Sequence, residues 1–313
     1  MRIGIIGVGE VGRCFAPALS QLGSAPILLC DPRPTRAAED LARDLGAGLV
    51  GCASEALGAC DLVLSCVNGA AAGEIAATVA DCDAPGQVLF DFATASPQVK
   101  RDAADALRRC GRHYVDVAIM GAVSIGGVET PLLAAGDENA EAVQSARDLM
   151  LRAGFRLAWL AEAKPGDAAS LKLLRSVFTK GLEALAVECL VAAEHFGVRH
   201  ALYEVLSDVD GTPLPAFLEM LVSTHLLHAE RRLAEVEQAE SQLRDADLPV
   251  RLLPCIRGLF GATATAMAQE RLTETPSPGE ALKRLETIGK SVGRVAKDQS
   301  TARTENREPG PRC

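Results

Sequence analysis

The chain has 313 residues, 48% of them apolar and 23% charged, which is too long for one small fold and too apolar for a disordered one. Its 32 Lys and Arg against 41 Asp and Glu leave a net charge of −9, a balance that repels a phosphate backbone and excludes a basic nucleic-acid binder. No apolar run reaches about 18 residues, and Glu10 and Arg13 interrupt the apolar start, so neither a membrane span nor a secretory leader is expected and the expected location is cytoplasmic.

Residues 1–160 alternate short apolar runs with amphipathic stretches. Strands are expected at residues 2–6, 26–30, 61–67, 87–92, 114–119 and 132–135, and helices at 11–22, 35–45, 97–110 and 140–153. This alternation predicts an α/β domain of the doubly wound Rossmann type, a largely parallel sheet with helices on both faces. After Trp159 the texture changes. Lys164-Pro165-Gly166 reads as a loop and helix start, and no later segment reads as a buried parallel strand. From Asp167, the residues Leu171, Leu174, Phe178, Leu182 and Leu185 recur at spacings of three and four, the pattern of one long amphipathic helix. Further helices are expected at 214–244 and 249–272. The chain therefore divides into a dinucleotide-binding domain (1–163), an all-α domain for substrate and dimerisation (164–297), and a disordered polar tail (298–313).

The sharpest local pattern is Gly7-Val8-Gly9-Glu10-Val11-Gly12, directly after the first strand and at the start of the first helix. Gly7 permits a tight turn, Gly9 lets a pyrophosphate approach the backbone, and Gly12 lets helix and strand pack closely. Glu10 and Val11 open the helix whose free N–H groups favour an anion. Asp31 follows about 20 residues on, at the end of the second strand, where a carboxylate accepts ribose hydroxyls. A nicotinamide dinucleotide is the expected cofactor. Asp31 repels a 2′-phosphate and favours NAD, whereas Arg33 and Arg36 close behind would attract that phosphate and suit NADP. No Cys-x-x-Cys pair occurs among the 10 Cys, and His225 and His228 have no evident third ligand, so no metal site is expected.

Four further segments follow in order: Val67-Asn68; Asp91-Phe92-Ala93-Thr94-Ala95-Ser96-Pro97; Asp116-Val117-Ala118-Ile119-Met120-Gly121-Ala122, in register with Thr130 and Gly136; and Gly166-Asp167-Ala168-Ala169-Ser170-Leu171-Lys172. Over residues 1–185 the chain thereby resembles the β-hydroxyacid dehydrogenase family, which includes 3-hydroxyisobutyrate and 6-phosphogluconate dehydrogenases. Beyond that it is more similar to a helical domain of uncharacterised function attached to such cofactor domains. The resemblance implies that Val67 and Asn68 contact the nicotinamide ribose and that Thr94 faces the cofactor. It further implies that Met120, Gly121 and Ala122 line the place of a substrate carboxylate, and that Lys172 is the catalytic lysine. Ser176 stands where the family commonly has Asn, Ala93 and Met120 where it has Ser, and Ala122 and Ala168 where it has Gly. At Met120 an adaptable apolar side chain replaces a hydroxyl, and the backbone donors are expected to remain.

Hydride transfer between an alcohol carbon and nicotinamide leaves the protein one task, moving the hydroxyl proton. For Lys172 to take that proton near neutrality, its amine must be desolvated or stand beside another cation, and Arg175 is the neighbour on the same helix. On the helix pattern alone, the same lysine reads as a snorkelling side chain. Arg175 reads as a clamp for a substrate anion or as a surface cation. His228, sharing a helix with Thr224, Arg231, Arg232 and Glu235, reads as an anion contact or as part of a solvated, internally paired face. The expected function is NAD(P)-dependent oxidoreduction of a small hydroxy compound or its carbonyl counterpart, with the substrate between the domains. An imine reductase, which usually lacks the lysine, and a non-catalytic dinucleotide-binding sensor are the alternatives. The apolar faces Leu182, Leu185, Phe196 and Phe217, Leu221, Leu226 are expected to bury against a second copy in a homodimer.

Overall fold

The computed structural model describes residues 1–305 apart from 55–57, 59, 83, 269, 271 and 273, with side chains described through residue 291. Among them, β1 (Ile3–Ile6), β2 (Leu28–Cys30), β3 (Gly48–Val50), β4 (Leu62–Ser65), β5 (Val88–Asp91), β6 (His113–Ile119), β7 (Leu132–Gly136) and β8 (Leu157–Trp159) form one sheet. Its order is β3-β2-β1-β4-β5-β6-β7-β8, parallel throughout except for the antiparallel pair β6–β7. The connecting helices are α1 (Glu10–Ser20), α2 (Arg36–Leu45), α3 (Ala72–Asp81), α4 (Pro97–Arg109) and α5 (Glu141–Arg152).

Side-chain alternation along the strands builds two cores, one on each face. Ile3, Ile5, Leu62, Leu64, Val88, Phe90, Val115 and Val117 face Phe15 of α1 and Leu149 and Met150 of α5. Phe15 meets Phe92 and Phe155 edge-on, with ring centroids 5.3 and 4.8 Å apart. Ile6, Val63, Leu89 and Tyr114 face Val79 of α3 and Ala103 and Leu107 of α4. This is the expected doubly wound fold. Three of its elements carry too little pattern to be read from sequence: β3 and β8 have three residues each, and the Ala- and Gly-rich α3 hides its period.

The helical region comprises α6 (Asp167–His195), α7 (Arg199–Val205), α8 (Leu214–Asp245), α9 (Leu253–Met267) and α10 (Pro278–Glu305). The chain forms two compact units that divide after Phe178, not at the 163/164 boundary expected from sequence. The opening turns of α6 belong to the sheet unit because Ala168 packs on Ala118 of β6 and Ala135 of β7. In the second unit α8 packs along α9 and α10. There the buried His225 of α8 lies 3.0 Å from Thr263 Oγ1 of α9. Glu188 of α6 accepts the N–H groups of Arg251 and Leu252 at 2.9 Å and of Leu253 at 3.3 Å, capping the start of α9 from outside its own chain segment.

Two expectations are corrected here. Residues 298–305, expected in the tail, continue α10, since no Pro or Gly interrupts the sequence between Gly293 and Pro309; residues 306–313 lie outside the described residues. Leu226, expected on an outward apolar face, is buried and Phe217 half-buried, while Leu182, Leu185, Phe196 and Leu221 are exposed. No helix among the described residues is long and apolar enough to cross a membrane.

Candidate active site

β1 lies between β2 and β4, where the direction of the connections reverses, so the loop after Ile6 opens into the crevice at the carboxyl ends of the strands. Gly7 takes φ +88°, and its N–H donates to Cys30 O at 2.8 Å. A Cβ on Gly12 would lie 2.1 Å from Gly7 O, so only glycine lets α1 start this close beneath the loop. Gly9 is the opposite case. It caps α1 in an extended conformation, and a Cβ there would meet nothing within 4 Å. With Glu10 exposed and Val11 half-buried, the first turn of α1 presents its unpaired N–H groups beside open space, a cradle that fits a pyrophosphate.

β2 leads into Asp31, whose carboxylate accepts the N–H of Val8 at 3.0 Å and of Arg33 at 2.9 Å. These bonds fix it against the glycine loop and leave acceptor capacity for ribose hydroxyls. Arg33 and Arg36 are exposed, and Arg36 pairs weakly with Asp40 at 3.9 Å.

The loops after β4 and β5 touch. A Cβ on Gly69 would lie 1.9 Å from Thr94 O, so the residue after Asn68 has to be glycine, a requirement that sequence reading missed. Asn68 Oδ1 accepts the N–H of Ala71 at 3.1 Å and closes the turn, and Val67 beside it is half-buried. Thr94 is exposed, and its Oγ1 accepts a hydrogen bond from Lys172 Nζ of α6, 2.8 Å away. Burial holds the Lys172 ammonium below the ordinary lysine pKa; the charge of Lys100 acts in the same sense and that of Asp116 opposes it. A second cation acting on Lys172 is thus Lys100 of α4, while Arg175 lies on the exposed side of α6.

Lys100 is fully buried, another feature that sequence reading missed. Its Nζ donates to Asp91 O at 2.9 Å and pairs with Asp91 Oδ2 at 2.9 Å and Asp116 Oδ1 at 3.3 Å. Asp91 and Asp116 are register partners on β5 and β6, and two such neighbouring carboxylates repel unless a cation stands between them. Asp91 Oδ2 also accepts the Tyr114 hydroxyl at 2.6 Å, and burial against Asp91 pushes the Tyr114 pKa upward. Asp116 Oδ2 accepts the N–H groups of Gly166 and Ala169, each at 3.0 Å, and so caps the helix that carries Lys172.

A family model described as the NAD binding domain of 6-phosphogluconate dehydrogenase matches residues 2–160. The chain belongs to this family. A second model, a domain of unknown function (DUF1932), matches residues 193–263. A solved conserved protein of unknown function, described as similar in structure to 3-hydroxyacid dehydrogenases, is 27% identical with a TM-score of 0.58, covering 87% of this chain and 100% of its own. An uncharacterised 28.5 kDa protein of Methanothermus fervidus is 24% identical over 83% of this chain and 98% of its own length. An imine reductase from Bacillus cereus shares the fold at a TM-score of 0.71 and 19% identity, over 91% of this chain and 99% of its own. The family match makes this chain an NAD(P)-binding oxidoreductase of the 6-phosphogluconate dehydrogenase type, and the likeness to the imine reductase shows a shared fold.

In this 6-phosphogluconate dehydrogenase-type chain the expected substrate segment departs from expectation at one point. The N–H of Met120 donates to Pro131 O at 2.8 Å, because the β6–β7 pairing extends past Ile119, so it is not a free donor. The half-buried Met120 side chain packs with Ala118, Ala135 and Ala168. Gly121 and Ala122 are exposed, and Ala122 caps the helical turn Val123–Gly126. Ser176 is exposed one turn beyond Lys172. His228 is exposed on α8 in the second unit, where Arg231 pairs with Glu235 and Arg232 donates to Thr224 Oγ1 at 2.9 Å. No group of three or more His, Cys, Asp or Glu among the described residues could hold a metal ion.

Proposed function

We propose that this protein interconverts a small hydroxy compound and its carbonyl counterpart with NAD(P), using Lys172 as the proton donor and acceptor. The observation that carries the reading is the 2.8 Å bond from Lys172 Nζ to Thr94 Oγ1, made by a half-buried amine held below its ordinary pKa. The backbone of residues 7–12 and the start of α1 would hold the pyrophosphate, Asp31 a ribose, and Val67, Asn68 and Thr94 the nicotinamide half. When bound, the dinucleotide supplies or accepts the hydride.

The protein's own task is the proton. In the oxidative direction, neutral Lys172 Nζ takes the hydroxyl proton as hydride leaves the carbon; in the reductive direction, the ammonium returns it to the carbonyl oxygen. Because Nζ donates to Thr94, the Thr94 hydroxyl hydrogen is left to bond a substrate or cofactor oxygen. Met120 offers an apolar contact where a hydroxyl was expected, which favours a substrate with an apolar group there. Asp31 supports NAD over NADP. Exposed Leu182, Leu185 and Phe196 support burial of α6 against a second copy of the chain.

Reduction of an imine is the second reading, supported by the fold shared with the Bacillus cereus enzyme and by the missing hydroxyl at Met120. A panel of hydroxy acids, alcohols, aldehydes, ketones and imines, run with both cofactors on the wild type and on Lys172→Ala, separates them. Lysine-dependent turnover of a hydroxy or carbonyl compound is expected; imine turnover that survives the substitution supports the second reading. Dinucleotide binding with no turnover of any panel member would contradict both and leave a sensor.

A further inference from the structure

Lys100 falls outside every motif that points to the cofactor or the substrate, yet all its contacts lead toward the reacting amine. We infer that Lys100 is the positioning residue of this site: one buried ammonium on α4 ties the strand end before Thr94 to the helix start before Lys172, and sets the charge that Lys172 faces. The inference rests on the proton-transfer role proposed for Lys172.

Toward Thr94, Lys100 Nζ grips both the carbonyl and Oδ2 of Asp91, whose Oδ1 accepts the N–H of Ala93 at 2.9 Å, one residue before Thr94. Toward Lys172, it pairs with Asp116, whose other oxygen holds the N–H groups of Gly166 and Ala169 at 3.0 Å. Both ends of the 2.8 Å Thr94–Lys172 bond are thus held from one nitrogen. Lys100 is 0% exposed, Asp91 3% and Asp116 1%. Replacing such a buried ionic group by apolar residues of similar volume is often neutral or stabilising, so closing the core alone does not call for three charges here.

Among the described residues, Lys100 from α4 and Asp116 from β6 are charged groups that act on Lys172, with Asp91 of β5 paired to Lys100. On α6 itself, Asp167 accepts the N–H of Lys164 at 2.8 Å and Arg175 is exposed. With Lys100 in place the buried trio carries one net negative charge. Without it two carboxylates would draw a proton onto Lys172.

Lys100→Met alone leaves two buried carboxylates uncompensated and endangers the fold. The charge-balanced pair Lys100→Met with Asp91→Asn avoids this, and Asp91→Asn alone changes the field in the opposite sense. The readout is trace acetylation of each lysine by acetic anhydride across pH, followed by mass spectrometry on the full chain, with exposed Lys180 and Lys290 as internal standards. In the wild type Lys172 is expected to titrate below the standards. Lys100→Met/Asp91→Asn is expected to move its curve to higher pH, and Asp91→Asn alone to lower pH. For the double variant, the oxidation limb should follow, with the rate at neutral pH falling about tenfold for each whole pH step the curve moves. A Lys172 curve unmoved in whichever of these variants folds overturns the inference. Labelling needs no turnover, so a failure of Lys172 as proton carrier, read from Lys172→Ala, would be seen separately.

Discussion

Gly9 and Gly12 sit three positions apart under opposite constraints. Gly12 is bounded by Gly7 O at 2.1 Å from any added Cβ, whereas Gly9 faces open space. Gly12→Ala is therefore expected to destabilise the sheet unit by about 1–3 kcal/mol or more, while Gly9→Ala leaves the thermal midpoint unchanged and weakens dinucleotide binding several-fold. Equal effects on stability would refute the assignment of roles. Asp31→Ala is expected to shift the ratio of NAD to NADP use toward NADP, checked by kcat/KM with each; a ratio that does not move would show that Asp31 does not read the ribose. The glycine loop and Asp31 were legible because each sits in a short pattern whose spacing carries the chemistry, whereas Lys172 was singled out by the family resemblance, its helix pattern alone reading as a snorkelling side chain. Lys100, Asp116 and Gly69 were not legible. Their roles depend on β5–β6 register and on loops that meet only after the sheet has formed, and no local pattern encodes such pairings.

At the scale of elements, the apolar runs at residues 2–6, 26–30, 61–67, 87–92, 114–119 and 132–135 announced their strands, while the three-residue β3 and β8 gained their pairing from the sheet. The start of α6 was readable from Lys164-Pro165-Gly166, but its anchoring by Asp116 was not, because that bond spans about fifty residues. The helical unit carries its own pH response. Burial first and Arg232 second hold the His225 pKa below 6.5 while its ring bonds Thr263. The unfolded chain takes up a proton as pH falls through about 6.5, and the folded one does so only at lower pH. Stability from this site is therefore complete above pH 6.5 and declines as pH drops toward the folded value. Urea unfolding of the wild type and of His225→Gln at pH 7.5 and 5.5 should show the larger loss in the wild type; identical losses would count against it.

For the whole molecule, the change of texture near Trp159 marked the end of the sheet, but the compact units divide only after Phe178, since a long helix can serve both. Exposed Leu182 and Leu185 on α6 predict a dimer in solution, and Leu182→Lys with Leu185→Lys is expected to give a monomer by light scattering; a monomeric wild type would contradict this. The central claim, that the Lys172 amine moves the substrate proton, is tested most directly by the pH dependence of oxidation rate in the wild type and Lys172→Ala. The wild-type rate should rise with pH along a limb centred below 10.5. The variant should lose that limb and at least about 10²-fold in rate while keeping its dinucleotide Kd. A variant with the same limb and the same rate would contradict the account.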